Sequence, residues 1–476
     1  MKCVIGIDLG STTTKAVMLD LDGVMLGQGI TNSRSNYEVA SVVARQEAHT
    51  AARFRLLKEE LPRALKNANQ VSAATAGLAE QRLPEAFRLE LYLAGLQQLE
   101  DTLLKQFEFG LPPTMVPAFA AAAKDIMAAA REDAPTFFLE GASRKSDFFR
   151  DLANEGFGRH AERVCGRKGV PFERMLGAFD RAILDVEKRV TPVDFGDMLQ
   201  AAAARVVASL PPDQRAGVGP ALLETVAAVA AMEIEEVAFV GTGYGRQTLP
   251  FPKEAVRSEI LCHGRGAHKA FPGTRTVLDI GGQDTKAIQV DERGVVTSFQ
   301  MNDRCAAGCG RYLGYIADEL NIGLHELGPL ALGAQKVTKV NSTCTVFAGA
   351  ELRERLALGE RREDILAGLH RAIMLRAMAL LARSGGVKEQ FTFTGGVCKN
   401  PMATRVLKQL VVEHYGDNIQ LNIHPDSIYM GALGAALFAL DDQRAGRSVV
   451  PGAIRDLYKT SAQGPAAVQA QAGSAP

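Results

Sequence analysis

An internal repeat constrains the fold of this chain more strongly than any other feature of its sequence. When the segment that begins at Asp8 is placed over the segment that begins at Asp279, identical residues recur at a constant offset of 271 positions. Stacked repeat arrays have periods of roughly 20 to 50 residues, so two copies this far apart predict two duplicated lobes instead. The identical pairs are Asp8 and Asp279, Gly10 and Gly281, Thr14 and Thr285, Lys15 and Lys286, Ala16 and Ala287, Asp20 and Asp291, Gly23 and Gly294, and Val24 and Val295.

Each copy of the repeat has the pattern of a β-hairpin with a polar tip. An apolar run, residues 4–7 or 276–278, leads into a turn that contains glycine, then into a second apolar run and an Asp-x-x-Gly turn. Glycine lets the backbone approach a phosphate closely, hydroxyl and N–H groups hold phosphate oxygens, and a carboxylate can hold hydrated Mg²⁺. One such hairpin alone would be interpreted as an ordinary tight turn. The matched pair predicts a clamp on the phosphates of a nucleotide.

A third turn rich in glycine lies near the C-terminus. Residues 394–401, Thr-Gly-Gly-Val-Cys-Lys-Asn-Pro, follow the strand-like residues 390–393 and precede an apparent helix over 402–413. A strand-to-helix turn of this kind lets a flat ring approach the backbone. The chain contains no GxxxxGK[ST] segment, so a P-loop is excluded as the source of phosphate binding.

Length and charge narrow the class of protein further. The chain has 476 residues, more than the roughly 250 to 300 that a single core supports. Its 54 Lys and Arg residues balance 54 Asp and Glu residues, so neither nucleic acid nor an acidic membrane surface is expected as a partner. The first residues give no signal-peptide pattern and no apolar run reaches membrane-spanning length, so we expect a cytoplasmic protein. In that reducing compartment the seven cysteines are expected to be metal ligands, catalytic thiols or packing residues.

The hairpins are separated by a long block with a helical pattern. Residues 44–65, for example, place apolar side chains at helical spacing. After about residue 440 the chain becomes rich in Ala, Gly, Gln and Pro and is predicted to be largely disordered. The expected domains are a first lobe of residues 1–40 and 236–278, a helical insertion subdomain of 41–235, a second lobe of 279–440, and a C-terminal tail of 441–476.

These motifs resemble those of a known superfamily. Residues 8–15, 279–286 and 394–396 look like the two phosphate motifs and the adenosine motif of the actin, heat-shock chaperone 70 and sugar-kinase superfamily, in the same order. Residues 241–246, 302–311 and 344–348 further resemble the BadF/BadG/BcrA/BcrD-type ATPases, which include the activators of 2-hydroxyacyl-CoA dehydratases and the ATPase subunits of class I benzoyl-CoA reductases. The resemblance covers about residues 1–40 and 236–440. It implies an α/β fold with duplicated actin-like lobes and a large helical insertion.

The resemblance also implies ATP or ADP as the nucleotide, with Mg²⁺ held by Asp8 through water. Lys15 and the hydroxyls of the first turn would hold phosphates. The attacking water would be positioned by Asp279, Gln283 or Asp284 in the second hairpin, and which of these three does so is left open. The predicted catalytic residues are Asp8, Asp279, Gln283 and Asp284, and the predicted nucleotide-binding residues are Gly10, Ser11, Thr12, Thr13, Lys15, Gly281, Gly282, Gly395, Gly396 and Asn400.

Two cysteines carry the most specific part of the resemblance. In the family, the first Cys of an Asn-Asp-x-Cys loop and the Cys of a Cys-Thr-Val-Phe segment come from each of two subunits and jointly hold one [4Fe–4S] cluster. This implies that Cys305 and Cys344 are ligands and that a dimer is necessary. An apparent helix over 311–320 follows, and a helix N-terminus favours thiolate over thiol. Cys309 stands where the family usually has Thr, and its role stays open between packing and an extra thiol near the cluster. The cysteines predicted to be buried packing residues are Cys3, Cys165, Cys262 and Cys398.

The long insertion resembles that of the larger ATPase subunit of benzoyl-CoA reductases. The implied function is ATP hydrolysis coupled to low-potential electron transfer through the shared cluster, toward catalytic subunits that reduce benzoyl-CoA to a dienoyl-CoA. The implied partners are a second, smaller ATPase subunit, acyl-CoA-binding catalytic subunits, and ferredoxin as electron donor. Three alternatives stay open: an activator of a 2-hydroxyacyl-CoA dehydratase, a sugar or carboxylate kinase without a cluster, and a nucleotide switch of the actin type.

Overall fold

Two β-sheets, each containing one copy of the repeat, carry the candidate site residues. The computed structural model describes residues 1–33, 36–67, 73–139, 148–187, 194–243, 250–302, 309–340 and 345–449. The chain divides into two compact units. One unit consists of residues 2–48 and 235–476 and contains both sheets, and the other consists of Met1 and residues 49–234.

The strands of the described residues repeat one topology. They are β1 (Lys2–Leu9), β2 (Thr13–Asp20), β3 (Met25–Asn32), β4 (Glu235–Gly243), β5 (Thr276–Ile280), β6 (Thr285–Val290), β7 (Val296–Asn302), β8 (Gln390–Thr394) and β9 (Gln420–Asn422). The first sheet has the order β3-β2-β1-β4 and the second the order β7-β6-β5-β8-β9. In both sheets three consecutive strands are antiparallel, and a later strand, β4 or β8, runs parallel to the first of them. The predicted duplication into two α/β lobes is confirmed.

Fourteen α-helices are present in the described residues. They are α1 (Tyr37–Asn67), α2 (Ala73–Gly110), α3 (Val116–Asp133), α4 (Phe149–Lys168), α5 (Phe172–Glu187), α6 (Phe195–Ser209), α7 (Pro212–Ala231), α8 (Glu259–Ala270), α9 (Gly310–Glu319), α10 (Leu327–Leu332), α11 (Thr345–Ala357), α12 (Arg362–Ser384), α13 (Pro401–Tyr415) and α14 (Met430–Arg444). Helices α2 to α7 lie in the unit of residues 49–234, and α8 to α14 lie in the unit that holds the sheets.

The strand β1 is largely apolar and lies inside the first sheet, between β2 and β4. Every residue of β1 after Lys2 is buried, as is every residue of β6, whereas the edge strand β7 is half exposed. Continuous apolar runs are typical of strands buried on both faces. The first sheet packs against α14, and the second packs Phe391 and Phe393 of β8 against α12 and α13. Both cores therefore place the ends of β1 and β5, which carry Asp8 and Asp279, at buried positions.

Two predicted lobe boundaries differ from the structure. The boundary between 278 and 279 is wrong because the apolar run before Asp279 is the strand β5, which begins at Thr276 and pairs with β6 and β8 in the second sheet. The end of the second lobe at 440 is also wrong. Helix α14 packs on β1 and β4 of the first sheet through a face of Ala, Gly and Leu residues, and it continues to Arg444. The last part of the predicted tail, residues 450–476, lies outside the described residues.

The unit of residues 49–234 contains helices and no β-strand among its described residues. One of its cores is aromatic, with the rings of Phe157 and Phe179 stacked 3.9 Å apart. A second core contains Leu61, Leu199 and Leu222 from α1, α6 and α7. The helix predicted over 44–65 lies within α1, which runs without interruption through the predicted start of the insertion at 41.

Among the described residues, only α12 is long and apolar enough to cross a membrane by length and composition. Of its apolar window, 72% is buried inside the protein. Ile365, Leu369 and Ile373 of this helix belong to the core that supports the second sheet. The apolar surface of α12 is accounted for by packing in the second lobe.

Candidate functional site

The two hairpins of the repeat have the same backbone register. Asp8 lies opposite Lys15 in the first hairpin, and Asp279 lies opposite Lys286 in the second. Both pairs sit at the turn end of their strands, where the polar tip begins. The duplicated Asp and Lys residues are therefore cross-strand neighbours in each lobe, at matching positions.

In the first hairpin the lysine ammonium remains near the surface. Lys15 Nζ lies 3.8 Å from Asp8 Oδ2, and 15% of the Lys15 side chain is exposed against 5% for Asp8. The turn is held from behind by Ser33, whose hydroxyl donates to the carbonyl of Gly10 and whose N–H donates to the carbonyl of Thr12 at 2.9 Å. Because its ion pair with Asp8 is long and partly exposed, Lys15 can turn its charge toward a phosphate.

In the second hairpin the lysine is enclosed by carboxylates. Lys286 Nζ donates to Asp284 Oδ2 at 2.7 Å, and lies 3.5 Å from Asp279 Oδ2 and 3.7 Å from Glu259 Oε2. Burial by itself would lower the pKa of Lys286, but these neighbouring carboxylates raise it well above its ordinary range. The positive charge of Lys286 is therefore balanced by carboxylates of the protein itself.

Asp279 is a strongly stabilised carboxylate of the site. Burial by itself would raise its pKa, but His263 and Lys286, with a 2.8 Å hydrogen bond from the Thr394 hydroxyl, hold the pKa of Asp279 well below its usual range. Glu259 behaves differently, because burial outweighs the Lys286 charge and raises its pKa. Asp279 is thus held as a carboxylate.

The tips of the two hairpins touch each other. A Cβ atom built on Gly282 would lie 2.1 Å from the Thr12 hydroxyl oxygen, so only glycine fits at this position of the second turn. The structure therefore brings the predicted phosphate-binding residues of both turns together. Their backbones face one small region of the unit that contains both sheets.

A threonine–glycine pair lies at the end of the parallel strand in both lobes. Gly243 has a φ of +133° and its Cβ would lie 2.2 Å from the carbonyl of Leu9, at the end of β1. Gly395 has a φ of +85° and its Cβ would lie 2.3 Å from the carbonyl of Ile280, at the end of β5. Both glycines have a positive φ and pack against the turn end of a hairpin. The duplication therefore extends beyond the hairpins.

The predicted adenosine turn divides into one open position and one structural residue. A Cβ atom on Gly396 would meet no atom within 4 Å among the described residues, so the turn has open space beside it. The Asn400 side chain caps α13, accepting hydrogen bonds from the N–H groups of Met402 and Ala403 at 3.0 Å, and its amide nitrogen donates to His370 Nε2 at 3.0 Å. The role of Asn400 visible here is to fix the turn.

Sequence reasoning missed one residue that lies between the two hairpins. His263, on α8, has Nδ1 at 3.3 Å from Asp279 Oδ1 and Nε2 at 4.0 Å from Asp8 Oδ2. Burial by itself would lower the pKa of His263, but Asp279 raises it overall. Glu259, which contacts Lys286, lies one helical turn earlier on α8 and was also missed. Neither has a counterpart in the repeat, which is the signal that pointed to the other residues.

Buried carboxylates outnumber the lysine ammonium groups beside them by two in the described part of this site. Asp8, Glu259, Asp279 and Asp284 are all buried, and the lysines that face them are Lys15 and Lys286. Carboxylate oxygens are hard ligands of the kind that Mg²⁺ prefers, but the raised pKa values of Glu259 and His263 reduce the negative charge of this group. No group of three or more His, Cys, Asp or Glu side chains in the described residues could hold a metal ion by itself. A Mg²⁺ ion bound here would need further ligands, such as water or phosphate oxygens.

The first turn of α9 is bonded directly to the second hairpin. The N–H of Gly310 donates to the carbonyl of Gly281 at 2.8 Å, and the N–H of Arg311 donates to the carbonyl of Gly282 at 2.7 Å. Cys309, the residue before the helix, is buried in extended conformation. The predicted cluster ligands Cys305 and Cys344 lie outside the described residues.

The four cysteines predicted to be packing residues are buried, as expected. Burial raises the pKa of Cys3 and Cys262 to about 12 and that of Cys398 to about 11. Cys165 is buried in the aromatic core of the unit of residues 49–234. These thiols are held as thiols and pack as small apolar side chains.

Comparison with known proteins identifies the family. The family model described as "BadF/BadG/BcrA/BcrD ATPase family" matches residues 5–439, which is most of the chain. The chain belongs to this ATPase family. Among its relatives, the (R)-2-hydroxyglutaryl-CoA dehydratase activating ATPase of Acidaminococcus fermentans is 42% identical over 211 residues, 44% of this chain and 78% of the relative. One of the subunits of the benzoyl-CoA reductase of Thauera aromatica is 34% identical over 212 residues, 44% of this chain and 73% of the relative.

A solved structure supports the same fold for this family member. The crystal structure of component A of the A. fermentans (R)-2-hydroxyglutaryl-CoA dehydratase superposes with a TM-score of 0.51 at 20% identity, covering 93% of this chain and 100% of that chain. Together with the duplicated sheets, this match confirms the predicted α/β fold with two actin-like ATPase lobes. ATP is accordingly the nucleotide of this family member, and hydrolysis of ATP is its activity class.

Proposed function

We propose that this chain is an ATPase subunit that couples ATP hydrolysis to low-potential electron transfer through a [4Fe–4S] cluster shared with a second ATPase subunit. One observation carries the proposal. The two N–H groups that begin α9 donate to the carbonyls of Gly281 and Gly282 in the second hairpin. Cys305 precedes this helix by a few residues in the sequence, so we expect a movement of the nucleotide-binding hairpin to be transmitted to the cysteine segment.

The ATP half of the proposal uses the two hairpins. Asp8 would hold Mg²⁺ through water, and Lys15 with the hydroxyls of Ser11, Thr12 and Thr13 would hold the phosphates. Gly10, Gly281 and Gly282 let the backbone come close to them, and Gly395 and Gly396 line the open space for the adenosine. These assignments agree with the buried carboxyl group of Asp8 and with the near-surface position of Lys15.

The attacking water would be positioned by the second hairpin. Asp284 is already hydrogen-bonded to Lys286, and Asp279 accepts from Thr394. We therefore assign the half-buried amide of Gln283 to orient the water, because an amide can both donate to and accept from it. Asp279 would act by fixing the electrostatics of the site.

The electron half of the proposal explains why hydrolysis is needed. When bound by Cys305 and Cys344 and their counterparts in a second subunit, the cluster supplies one-electron chemistry at low potential. Low-potential protein clusters span about −400 to −700 mV, and moving one electron across that range costs roughly 7 kcal/mol. Closure of the hairpins on ATP and the irreversible hydrolysis step would together provide this free energy.

Two members of this functional class are supported equally by the relatives. In one, the chain is the larger ATPase subunit of a benzoyl-CoA reductase, with a smaller ATPase subunit, acyl-CoA-binding catalytic subunits and ferredoxin as partners, and a dienoyl-CoA as product. In the other, it activates a 2-hydroxyacyl-CoA dehydratase and leaves its partner after each transfer. Stable co-purification with acyl-CoA-binding subunits through gel filtration supports the reductase, and its absence supports the activator. If the chain is the larger reductase subunit, the helical unit of residues 49–234 would be a subdomain of that subunit.

The decisive test compares cysteine variants in protein purified anaerobically from its own host with its co-purifying subunits. The wild type is expected to be brown and to contain iron. Cys305→Ser and Cys344→Ser should lose most of the iron and the ATP-driven reduction of the partner while still binding ADP. Cys165→Ala, in the other unit, is the matched control and should keep both. Full iron and full reduction in Cys305→Ser would refute the electron-transfer function, and iron-free wild type that phosphorylates a sugar or carboxylate would favour a kinase.

A further inference from the structure

Helix α8 connects the first sheet to the second and carries a buried histidine between their hairpins. The helix follows β4 of the first sheet and precedes β5 of the second, and it contacts strands of both. Glu259 and His263 lie one turn apart on it, and both are buried. Because α8 contacts strands of both lobes, its side chains can contact residues of both hairpins.

The imidazole of His263 reaches one carboxylate from each lobe. Nε2 lies 4.0 Å from Asp8 Oδ2, and Nδ1 lies 3.3 Å from Asp279 Oδ1. His263 as a whole residue is 7% exposed. Its Nδ1 atom has no aligned hydrogen-bond partner within the described residues. Buried polar atoms are nearly always hydrogen-bonded in folded proteins. Nδ1 already lies 3.3 Å from Asp279 Oδ1, so a small movement of either group would complete an aligned hydrogen bond.

The position of the ring is fixed by close contact between two helices. A Cβ atom on Gly434 of α14 would lie 1.8 Å from the carbonyl of Cys262 on α8, so the two backbones touch. A Cβ atom on Gly431 would lie 2.8 Å from both His263 Nε2 and Asp8 Oδ2. Only a glycine at 431 leaves room for the ring beside Asp8. The packing therefore holds the imidazole at the point where the two hairpins meet.

We propose that His263 is a positioning residue for ATP hydrolysis, which holds Asp8 of the first hairpin and Asp279 of the second in register and completes its Nδ1 hydrogen bond to Asp279 when the lobes close on the nucleotide. The inference rests on the proposed ATPase function. Through His263, helix α8 would bring Asp8 and Asp279 into the positions needed for ATP hydrolysis only when the two lobes close on the nucleotide. The ring does not contact the phosphates itself and acts through the two carboxylates.

The test compares four variants of the full-length chain: His263→Ala, His263→Asn, His263→Gln and the control His160→Ala. The Asn amide nitrogen lies where imidazole Nδ1 lies, so it keeps a donor for Asp279, whereas the longer Gln amide mimics Nε2. His160 is a matched control because it also pairs with a carboxylate, Asp133, at 2.8 Å, but in the other unit. The measurements are steady-state ATP hydrolysis, ADP affinity by titration calorimetry, and thermal unfolding.

His263→Ala should lower kcat about 10- to 100-fold, since a misplacement of about 1 Å costs up to about 100-fold, and should change KM for ATP by less than about threefold. His263→Asn should recover more of kcat than His263→Gln, with ADP affinity unchanged in both. A ring that merely fills space would instead lower thermal stability and move kcat and KM together.

Wild-type kcat in His263→Ala would overturn the inference and leave the ATPase function intact, as would Asn and Gln variants that are equally impaired. If His263→Ala does not fold, the comparison of the Asn and Gln variants decides the question. Wild-type protein that hydrolyses no ATP would refute the proposed function and this inference with it. His160→Ala is expected to hydrolyse ATP at the wild-type rate.

Discussion

In the first hairpin the carbonyl of Gly10 accepts a hydrogen bond from the hydroxyl of Ser33, whereas in the second the equivalent carbonyl of Gly281 accepts from the N–H of Gly310. Ser33 directly follows the third strand of its own sheet, but Gly310 begins α9. The same backbone turn is thus tied to its own lobe in one copy and to a helix that leads toward the cysteine segment in the other. The two hairpins therefore share one turn geometry, but within the described residues only the second hairpin is hydrogen-bonded to the first turn of α9.

The duplicated lysines differ in the same direction. Lys15 has Asp8 as its carboxylate partner at 3.8 Å and is partly exposed, whereas Lys286 is buried among Asp279, Asp284 and Glu259. Position 284, which carries the closest of these carboxylates, is occupied by Thr13 in the first copy. An exposed ammonium can bind phosphate, and an enclosed one stabilises the hairpin that α9 holds. The comparison therefore predicts ligand binding for Lys15 and structural support for Lys286.

The largest expected effect comes from removing each lysine in turn. Lys286→Ala leaves buried carboxylates without their cation and should lower the free energy of unfolding by about 3 to 5 kcal/mol. Lys15→Ala should lower stability by about 1 kcal/mol or less, but it should weaken ATP binding about 10- to 100-fold, the equivalent of one hydrogen bond to a charged group. Denaturant unfolding and nucleotide titration measure the two quantities.

The comparison fails if the two lysines behave alike. A Lys286→Ala variant that is as stable as wild type but binds ATP weakly would show that the second lysine, too, serves the phosphates. A Lys286→Met variant, which fills the space without the charge, separates loss of packing from loss of charge. It should remain almost as unstable as Lys286→Ala.

An intermediate effect should come from the bond between α9 and the second hairpin. Gly310→Pro removes the N–H that donates to the Gly281 carbonyl at 2.8 Å and places the proline Cδ against the same oxygen, so the turn must also shift. Gly310→Ala adds the same Cβ atom and keeps the N–H. The proline variant should be less stable than the alanine variant by more than about 1 kcal/mol, because the clash of Cδ adds to the lost hydrogen bond.

The functional readout of this pair is the number of electrons transferred for each ATP hydrolysed. Relative to Gly310→Ala, Gly310→Pro should lose more electron transfer than ATP hydrolysis, since the direct hydrogen bond between its hairpin and the first residue of α9 is gone. The matched variant in the first hairpin, Ser33→Ala, should lower ATP hydrolysis and electron transfer together. Equal coupling in the proline and alanine variants would show that α9 does not carry the signal.

Much of this architecture could be predicted from the repeat, for a physical reason. A hairpin specifies its own register through local sequence, so identical Asp, Gly and Lys positions in two segments predict identical turns. The pairing of Asp8 with Lys15 and of Asp279 with Lys286 follows from that logic. The two lobes and the third glycine turn were predicted from local patterns of the same kind, and the packing role of four cysteines from their isolation in the sequence.

What could not be predicted depends on contacts between distant segments. His263 has no partner among the described residues next to it in the sequence. Its position follows from backbone contact between α8 and α14, which are far apart in the sequence because most of the second lobe lies between them. Asn400 was predicted to bind the nucleotide because it follows the glycine turn, but its role as a helix cap depends on where α13 begins. The Thr-Gly pair at 242–243 repeats that at 394–395 and was a signal for the second duplicated element, although its offset differs from that of the hairpins.

The smallest expected effect lies at the outer turns, where the two copies are the same. Asp20 Oδ1 accepts hydrogen bonds from two backbone N–H groups at 2.9 and 2.8 Å, and Asp291 Oδ1 accepts two at the same distances. Asp20→Ala and Asp291→Ala should therefore lower the midpoint of thermal unfolding equally at pH 7. The N–H groups of Val295 and Arg293 hold the pKa of Asp291 below its ordinary value of about 3.9, so its contribution is present above that pH and is lost as the pH falls through the lower folded value. The difference between wild type and Asp291→Ala in calorimetry should thus shrink below about pH 4. Unequal losses at pH 7 would mean that divergence of the two copies reaches beyond their phosphate-facing tips.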